Sequence, residues 1–242
     1  VFYMMAGLCF IAFVFVWLNM PTFCPLERKV ETGLFTSLHR MFLRRRTVGI
    51  LIARYATMLM MVPTMAFLPV MMADWAGSSG IQTGIVIASR TLMNAILQYP
   101  FGKLADSGNK KFLLLTGALC MSCAVFLIPL ATDFVAMIGL YLFLGLGEAV
   151  LWPVLGAYAV EEGRNHFGHG TMMGVFNLAM SAGVFTGAML AGISMDTLGM
   201  RHSFILTSGA IFALCLLAVF LIRDGERLDE TNADRPLYSS SV

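Results

Sequence analysis

The chain has 242 residues, of which 58% are hydrophobic and 12% charged, and its formal net charge is +2. Soluble domains average about 45–50% apolar and about 25% charged residues, so this composition excludes an ordinary soluble protein and indicates a membrane protein. The five cysteines are odd in number and most lie in apolar stretches, which argues against a disulfide framework.

Seven apolar stretches are long enough to cross a bilayer, since a spanning helix needs about 20 mostly apolar residues. They cover residues 1–20, 48–72, 81–101, 112–131, 135–160, 171–193 and 203–222. The sequence therefore predicts an all-α membrane protein with seven transmembrane helices and no soluble domain. Val1 already lies inside the first stretch, so we expect the chain to be a fragment that lacks its beginning.

The first connection, residues 21–47, contains the sequence "LFTSLHRMFLRRR". Its apolar residues share one helical face, with basic residues around and after it, which predicts an amphipathic helix in the cytoplasmic interface. That face consists of Leu34, Phe35, Leu38, Met41 and Phe42. A solvated linker is the alternative.

Basic residues concentrate in alternate connections. Of the sixteen Lys and Arg residues, six lie in residues 21–47, three in the loop after the third stretch and three in residues 223–242, whereas the connections after the second and fourth stretches carry none. The positive-inside rule then places the carboxy-terminus and this loop in the cytoplasm, and Val1 on the opposite side. The polar, charged tail 223–242 is expected to be disordered.

A constant offset of ninety residues aligns special positions in the two halves of residues 48–222. The pairs are Gly49 with Gly139, Pro63 with Pro153, Gly80 with Gly170, Gly84 with Gly174, Gly102 with Gly192, Asp106 with Asp196, and Lys111 with Arg201. Three stretches per copy is an odd number, so the copies cross the membrane in opposite senses. We predict one lone helix plus a six-helix bundle of two inverted three-helix repeats. The alternative is that membrane helices of similar length merely share turn residues.

The loop after the third stretch reads "GKLADSGNKK", residues 102–111. Gly102 would let two helices approach closely, and Asp106 would accept bonds from the free amides of a neighbouring helix N-terminus. Asn109 tolerates the left-handed conformation of a tight reversal, and Lys110 and Lys111 hold the loop in the cytoplasm. We expect a gating latch here, with an ordinary positive-inside turn as the alternative.

This loop resembles the signature G-x-L-a-D-r-x-G-r-k of the major facilitator superfamily, with Ser107 in place of Arg and Asn109 in place of Gly. The resemblance implies a last helix of an amino-terminal bundle (1–20), a central cytoplasmic linker (21–47), a six-helix carboxy-terminal bundle (48–222) and a tail (223–242). It also implies a partner, the missing amino-terminal half of the same transporter, and residence in a plasma or bacterial inner membrane.

Four glycines follow the spacing of the superfamily's antiporter signature, with Ala188 and Ala191 replacing its Pro and Gly. They are Gly174, Gly183, Gly187 and Gly192. The family carries this signature in its fifth helix, whereas here it falls in the equivalent helix of the second half, so it only hints at export. Such spacing first of all allows close helix packing.

Charged residues within predicted spans are expensive and by default mark function. Arg90 and Glu148 lie about 18 and 20 Å from the cytoplasmic ends of their spans at 1.5 Å per residue. We expect them to face each other or a shared aqueous cavity. Glu148 would then accept a proton or bind a cationic substrate, and Arg90 would tune the proton affinity of Glu148. A permanent structural ion pair is the alternative.

Pro63 and Pro153 occupy equivalent places in the two repeats, and helix interruptions at such points indicate the substrate path. Tyr55, Asn94 and Trp152 are further candidates for the substrate and proton pathway, although aromatic residues in spans also serve packing. We expect no cofactor, because Cys120/Cys123 and His166/His169 lack the further ligands that a metal site needs.

The sequence thus predicts the carboxy-terminal part of a secondary active carrier with alternating access, not an enzyme or a nucleic-acid-binding protein. Its expected partners are a small-molecule substrate, protons and the lipid bilayer, and proton-coupled efflux of drug-like compounds or metabolites is the leading subclass. A heptahelical receptor, or an uptake facilitator for sugars or organic acids, is the alternative.

Overall fold

The computed structural model describes residues 2–19, 34–73 and 79–233, all of them in helices, turns and short connections without a strand. The chain divides into two compact units, residues 1–34 and 35–242. The first contains α1 (Phe2–Asn19), which carries no charged residue.

The second unit is a helical bundle. Its elements are α2 (Leu34–Leu43), α3 (Arg45–Met58), α4 (Met61–Ala73), α5 (Gly80–Ser107), α6 (Lys110–Leu127), α7 (Phe134–Glu162), α8 (His169–Leu198) and α9 (Met200–Ala233). A 3-10 turn, Ile128–Leu130, extends α6, and a π-helical turn, Gly163–Phe167, follows α7 directly and leads to α8. The prediction of an all-α membrane protein is confirmed.

Within the described residues, five helical segments are long and apolar enough to cross a membrane. They are Arg45–Ala73, Lys110–Leu130, Phe134–Phe167, His169–Leu198 and Met200–Ile222. Helix α5 is not among them although it has 28 residues, because residues such as Gln82, Arg90 and Asn94 make it more polar. The apolar segment Tyr3–Asn19 is shorter than the others. The seven-span arrangement therefore stays a prediction.

The span Arg45–Ala73 is broken between α3 and α4 at Leu59 and Met60. Pro63 has no N–H to donate to the carbonyl of Leu59 four residues earlier, so the regular hydrogen-bond ladder cannot pass this point. Pro153, in contrast, lies inside the continuous helix α7. The expectation of an interruption at both prolines is correct for the first only.

The helices of residues 45–233 begin at corresponding places. Helices α5 and α8 start at Gly80 and His169, and α6 and α9 start at Lys110 and Met200. The packing repeats too: α3 packs on α8 and α9, while α7 packs on α5 and α6. A shift of about ninety residues converts the first set of contacts into the second.

The two ends of the bundle differ from the sequence-based expectations. Helix α2 forms, but Met41 is fully buried and Leu38 packs against the core, so part of its apolar face contacts the bundle rather than lipid. Helix α9 continues to Ala233, so disorder from residue 223 onward was the wrong expectation for 223–233. The strong helix formers Glu, Arg and Leu in that stretch favour continuation. The linker before residue 34 and the tail after 233 lie outside the described residues.

Candidate functional site

The two charged residues predicted to meet within the membrane form an ion pair. The Arg90 Nε atom donates to both carboxylate oxygens of Glu148, at 3.1 and 3.0 Å, and its Nη2 atom donates to Oε1. Each residue is 2% exposed. Because both groups lie in the middle of long helices, α5 and α7, this is a closed, bidentate pair deep in the bundle.

Residues at the break between α3 and α4 complete the surroundings of the pair. Arg90 Nη1 donates to Thr64 Oγ1 at 3.0 Å, and Nη2 contacts Met61 Sδ at 3.4 Å. The hydroxyl of Tyr141, fully buried on α7, donates to the main-chain carbonyl of Thr64. Every nitrogen of the guanidinium therefore has a partner, and the first turn of α4 is tied to both charged helices.

Helix α7 reaches this cluster because it has no side chain where α5 crosses it. A Cβ atom at Gly145 would collide with the carbonyl oxygen of Arg90. The equivalent crossing of the other repeat, between α3 and α8, has a glycine on the opposite helix, since a Cβ at Gly183 would collide with the carbonyl oxygen of Tyr55. These close approaches bring Glu148 within reach of Arg90.

A second cation lies between α3, α7 and α8, and the sequence analysis gave it no role. Arg54 on α3 is half-buried, with its guanidinium carbon 5.7 Å from the ring centre of Trp152 and 4.8 Å from that of Phe176. Its Nη2 atom donates to Met180 Sδ at 2.9 Å. Among the described residues it makes no ion pair. Its position in an otherwise apolar span was the only signal the sequence offered.

The remaining pathway candidates lie near these two cations. Trp152 follows Glu148 by four residues on α7, and Asn94 follows Arg90 by four residues on α5, so each lies one helical turn from the ion pair. The Nδ2 atom of Asn94 is buried without a partner among the described residues. Tyr55, next to Arg54, accepts a hydrogen bond from Thr186 of α8 at 2.8 Å.

One end of the bundle carries the basic residues Arg44, Arg46 and Lys110, and we call it the basic end. Two neighbouring acids at the end of α7, Glu161 and Glu162, join the helices there. Glu161 accepts bonds from Arg46 of α3 and Lys110 of α6, each at 2.8 Å. Glu162 accepts from Arg44 at 3.0 Å and from the Thr47 hydroxyl at 2.7 Å. The ends of α3, α6 and α7 are therefore connected by charge, and sequence reasoning missed both acids.

The latch loop differs from its prediction. Asp106 is exposed, and within the described chain it makes no hydrogen bond or ion pair. Asn109 has φ −73°, so the left-handed conformation was wrong; it instead caps α6 by accepting from the amides of Lys111 and Phe112. A Cβ at Gly102 would meet nothing within 4 Å in the part of the chain that the structure describes, so the predicted close helix approach is not seen there. Lys110 of this loop reaches α7, where it donates to Glu161.

The four signature glycines of α8 behave in two ways. Gly183 and Gly187 lie directly against the main chain of Tyr55 and Leu59, next to the break between α3 and α4, so that a side chain at either would collide. Added Cβ atoms at Gly174 and Gly192 would meet nothing within 4 Å. The spacing alone could not separate these pairs, because it does not say which face of α8 meets α3.

Metal chemistry has no candidate in the part of the chain that the structure describes, where no three His, Cys, Asp or Glu side chains are grouped to hold an ion. His166 lies in the exposed π-helical turn and His169 begins α8. Cys120 and Cys123 are free thiols on α6.

Comparison with known proteins assigns the class. The model of the Major Facilitator Superfamily matches residues 48–241, so the chain belongs to this family of membrane transporters. It is 26% identical over 166 residues to an uncharacterized MFS-type transporter of Methanocaldococcus jannaschii, covering 67% of this chain and 42% of the relative. It is 28% identical over 165 residues to the multidrug resistance protein MdtG of Yersinia enterocolitica, covering 66% and 39%. The MdtG of Dickeya zeae is 28% identical over 142 residues, covering 59% and 34%.

The chain spans about two fifths of the length of the first two of these curated relatives. It is therefore similar to one part of these transporters, and its family and its apolar helices make it an integral membrane protein. Nothing in the comparisons favours the receptor alternative.

Proposed function

We propose that this chain is the carboxy-terminal bundle of a secondary active carrier that moves drug-like compounds or metabolites out of the cell in exchange for protons. The buried Arg90–Glu148 pair carries the proposal. Charged groups inside a membrane protein are costly and mark ion or substrate pathways, and the family membership makes transport the setting in which this pair acts.

During alternating access the helices of a carrier move relative to one another, and this motion can open and close the Arg90–Glu148 pair. Arg90 is on α5, Glu148 on α7 and their neighbour Thr64 on α4, so a shift between these helices separates the charges. An isolated buried carboxylate is strongly disfavoured, and the separated Glu148 therefore takes up a proton or binds a cationic group. Re-closure against Arg90 expels that proton, which couples its movement to the conformation.

The inverted repeat gives the bundle its two alternative arrangements. The contact of α5 with α7 corresponds to that of α8 with α3 after a shift of about ninety residues, and both crossings are made through a glycine. In inverted-repeat transporters, one repeat rocks against the other around a central site. The seven-span topology, with the carboxy-terminus in the cytoplasm and an amino-terminal bundle supplying the other half of the cavity, belongs to this proposal.

The contacts at the basic end fit a gate. Glu161 connects α3 to α6 through Arg46 and Lys110, and these contacts hold that end of the bundle closed. Both bonds are partly exposed to solvent, so they can exchange for water as the end opens. Export, rather than uptake, rests on the similarity to proteins named for multidrug resistance.

Flux through the full-length protein in proteoliposomes tests the proposal. With a panel of cationic, neutral and sugar-like compounds and an imposed pH gradient, we expect gradient-driven movement in the wild type and its loss in Glu148→Gln. Asp196→Asn is the matched control, because Asp196 is exposed and pairs with no described residue. Flux that ignores the gradient would mean a facilitator, and gradient-driven flux that survives Glu148→Gln unchanged would mean that the ion pair is structural.

A further inference from the structure

The second cation, Arg54, lies in α3, within the span Arg45–Ala73 that is broken between α3 and α4. It is nine residues from Arg45, or about 14 Å from that end of α3 at 1.5 Å per residue. A charged side chain at such depth is stable only when it is paired or faces a polar cavity. Arg54 is half-buried and surrounded by Trp152, Phe176 and Met180.

The neighbours of Arg54 compensate its charge only in part. Ring faces attract a cation, and a thioether sulfur is a weak acceptor. The three carboxylates of the neighbouring helix α7 are already paired with other cations. They are Glu148 with Arg90, Glu161 with Arg46 and Lys110, and Glu162 with Arg44. A net positive charge therefore remains at Arg54 among the described side chains.

Two hydrogen-bond donors at this place have no acceptor. The Nε atom of Arg54 and the indole Nε1 atom of Trp152 are both buried and make no hydrogen bond to any described residue. Buried donors without an acceptor are rare in folded proteins and call for an explanation. Both are donors and one belongs to a cation, so the group that completes the site is an anionic acceptor.

We propose that Arg54 and Trp152 form a binding subsite for the carboxylate of an organic-anion substrate. A guanidinium presents its N–H groups in a plane that matches a carboxylate, and the indole N–H supplies a further donor. The surrounding Phe176 and Met180 side chains require that the rest of the substrate be apolar. This inference rests on the proposed transport function, names its substrate class and leaves Glu148 for the proton.

The subsite also lies close enough to the Arg90–Glu148 pair for a bound substrate to affect it. Trp152 follows Glu148 by one helical turn on α7, and Tyr55, next to Arg54, contacts α8 through Thr186. An anion held at Arg54 thus touches α3 and α7 together. Its binding changes the charge one turn from Glu148, which links substrate binding to protonation.

Binding of a matched set of compounds tests the subsite without transport. The set is 4-phenylbutyrate, its neutral amide and 4-phenylbutylamine, measured by titration calorimetry on the full-length protein in nanodiscs of zwitterionic phosphatidylcholine, so that anionic lipid cannot occupy the site. We expect the acid to bind at least about tenfold more tightly than the amide, because bonds between charged partners are the stronger ones, and the amine to bind weakest.

Variants assign that preference to Arg54. Arg54→Gln should remove the preference for the acid and leave the affinity for the amide unchanged, and Arg54→Lys should keep part of it. Arg201→Gln is the control, because Arg201 is exposed and pairs with no described residue. Should Arg54→Gln fail to fold, Arg54→Lys and the wild-type ranking decide the matter.

Equal binding of acid and amide by the wild type, or a preference that survives Arg54→Gln, would overturn the subsite. A carboxylate supplied by another segment of the protein would also occupy Arg54 and abolish the preference. The calorimetric experiment measures binding without a pH gradient and therefore does not depend on transport. If the protein binds the acid but moves no compound in proteoliposomes, the transport proposal alone is refuted.

Discussion

At the scale of single residues, the ion pair shows what a sequence can and cannot reveal. Arg90 and Glu148 stand out as charges at matching depth in apolar spans, and the structure brings them together. Arg54 is likewise a charged residue in an apolar span, yet no charged residue of the described chain pairs with it, and its aromatic neighbours come from two other helices. Such a cluster depends on helix rotation, which hydropathy does not report.

Removal of one partner of the ion pair should be costly. Arg90→Gln leaves the Glu148 carboxylate buried and uncompensated, which typically costs about 3–5 kcal/mol of unfolding free energy. The double variant Arg90→Met with Glu148→Leu should recover most of that loss, since apolar replacement of both partners is often neutral. Unfolding in detergent micelles measures both, with Asp196→Asn as the control.

A stable double variant that no longer transports would show that the pair serves function beyond stability. A double variant as unstable as the single one would contradict this account of the pair, because the cost would then come from the packing of these side chains rather than from an uncompensated charge.

The hydroxyl of Tyr141 should matter to the break between α3 and α4. Tyr141→Phe removes the donor to the buried carbonyl of Thr64, and the loss of one such hydrogen bond typically costs about 0.5–1.5 kcal/mol. Tyr99→Phe is the control, because Tyr99 is 71% exposed. Thermal unfolding compares the two; equal midpoints would mean that water replaces the lost hydroxyl.

At the scale of helices, length and hydropathy placed the bundle elements well. The stretches 135–160 and 112–131 correspond to α7 and to α6 with its 3-10 turn, with ends within a few residues. The latch was less predictable: Asp106, the acid of the motif, makes no hydrogen bond or ion pair with a described residue, whereas Glu161 joins α3 and α6. A loop motif fixes local geometry, but its partners come from helices fifty residues away or more.

Close packing of α7 on α5 should depend on one glycine. A Cβ at Gly145 collides with the main-chain oxygen of Arg90, so Gly145→Ala must displace α5 and should cost about 1–3 kcal/mol as an overpacked site. Gly139→Ala on the same helix meets nothing within 4 Å and should be neutral or stabilising by about 0.5–1 kcal/mol. Equal unfolding midpoints for Gly145→Ala and Gly139→Ala would contradict this prediction.

The contacts at the basic end should depend on Glu161 rather than on Asp106. Glu161→Gln weakens the bonds to Arg46 and Lys110, so amide hydrogen exchange should accelerate in the first turns of α3 and α6. Asp106→Asn, in the loop itself, should leave these rates unchanged. The reverse result would restore the latch that the loop motif suggested.

At the scale of the whole molecule, family membership and the repeat agree. The ninety-residue offset was read from glycines, prolines and charged residues, and the helix starts and packing pairs of residues 45–233 recur at nearly the same offset. Residues 48–241 match the family, whereas the chain spans only part of its relatives. The substrate could not be read from sequence, because a carrier's cavity is defined by side chains from several helices at once.

Proton movement during solute transport tests the central claim most directly. Proteoliposomes loaded with a pH-sensitive dye receive a gradient of the transported compound and no initial pH gradient. We predict that solute movement through the wild type and Asp196→Asn changes the internal pH, and that Glu148→Gln abolishes this change. Solute movement with no pH change in the wild type, or an unaltered pH change in Glu148→Gln, would contradict coupling through the buried pair.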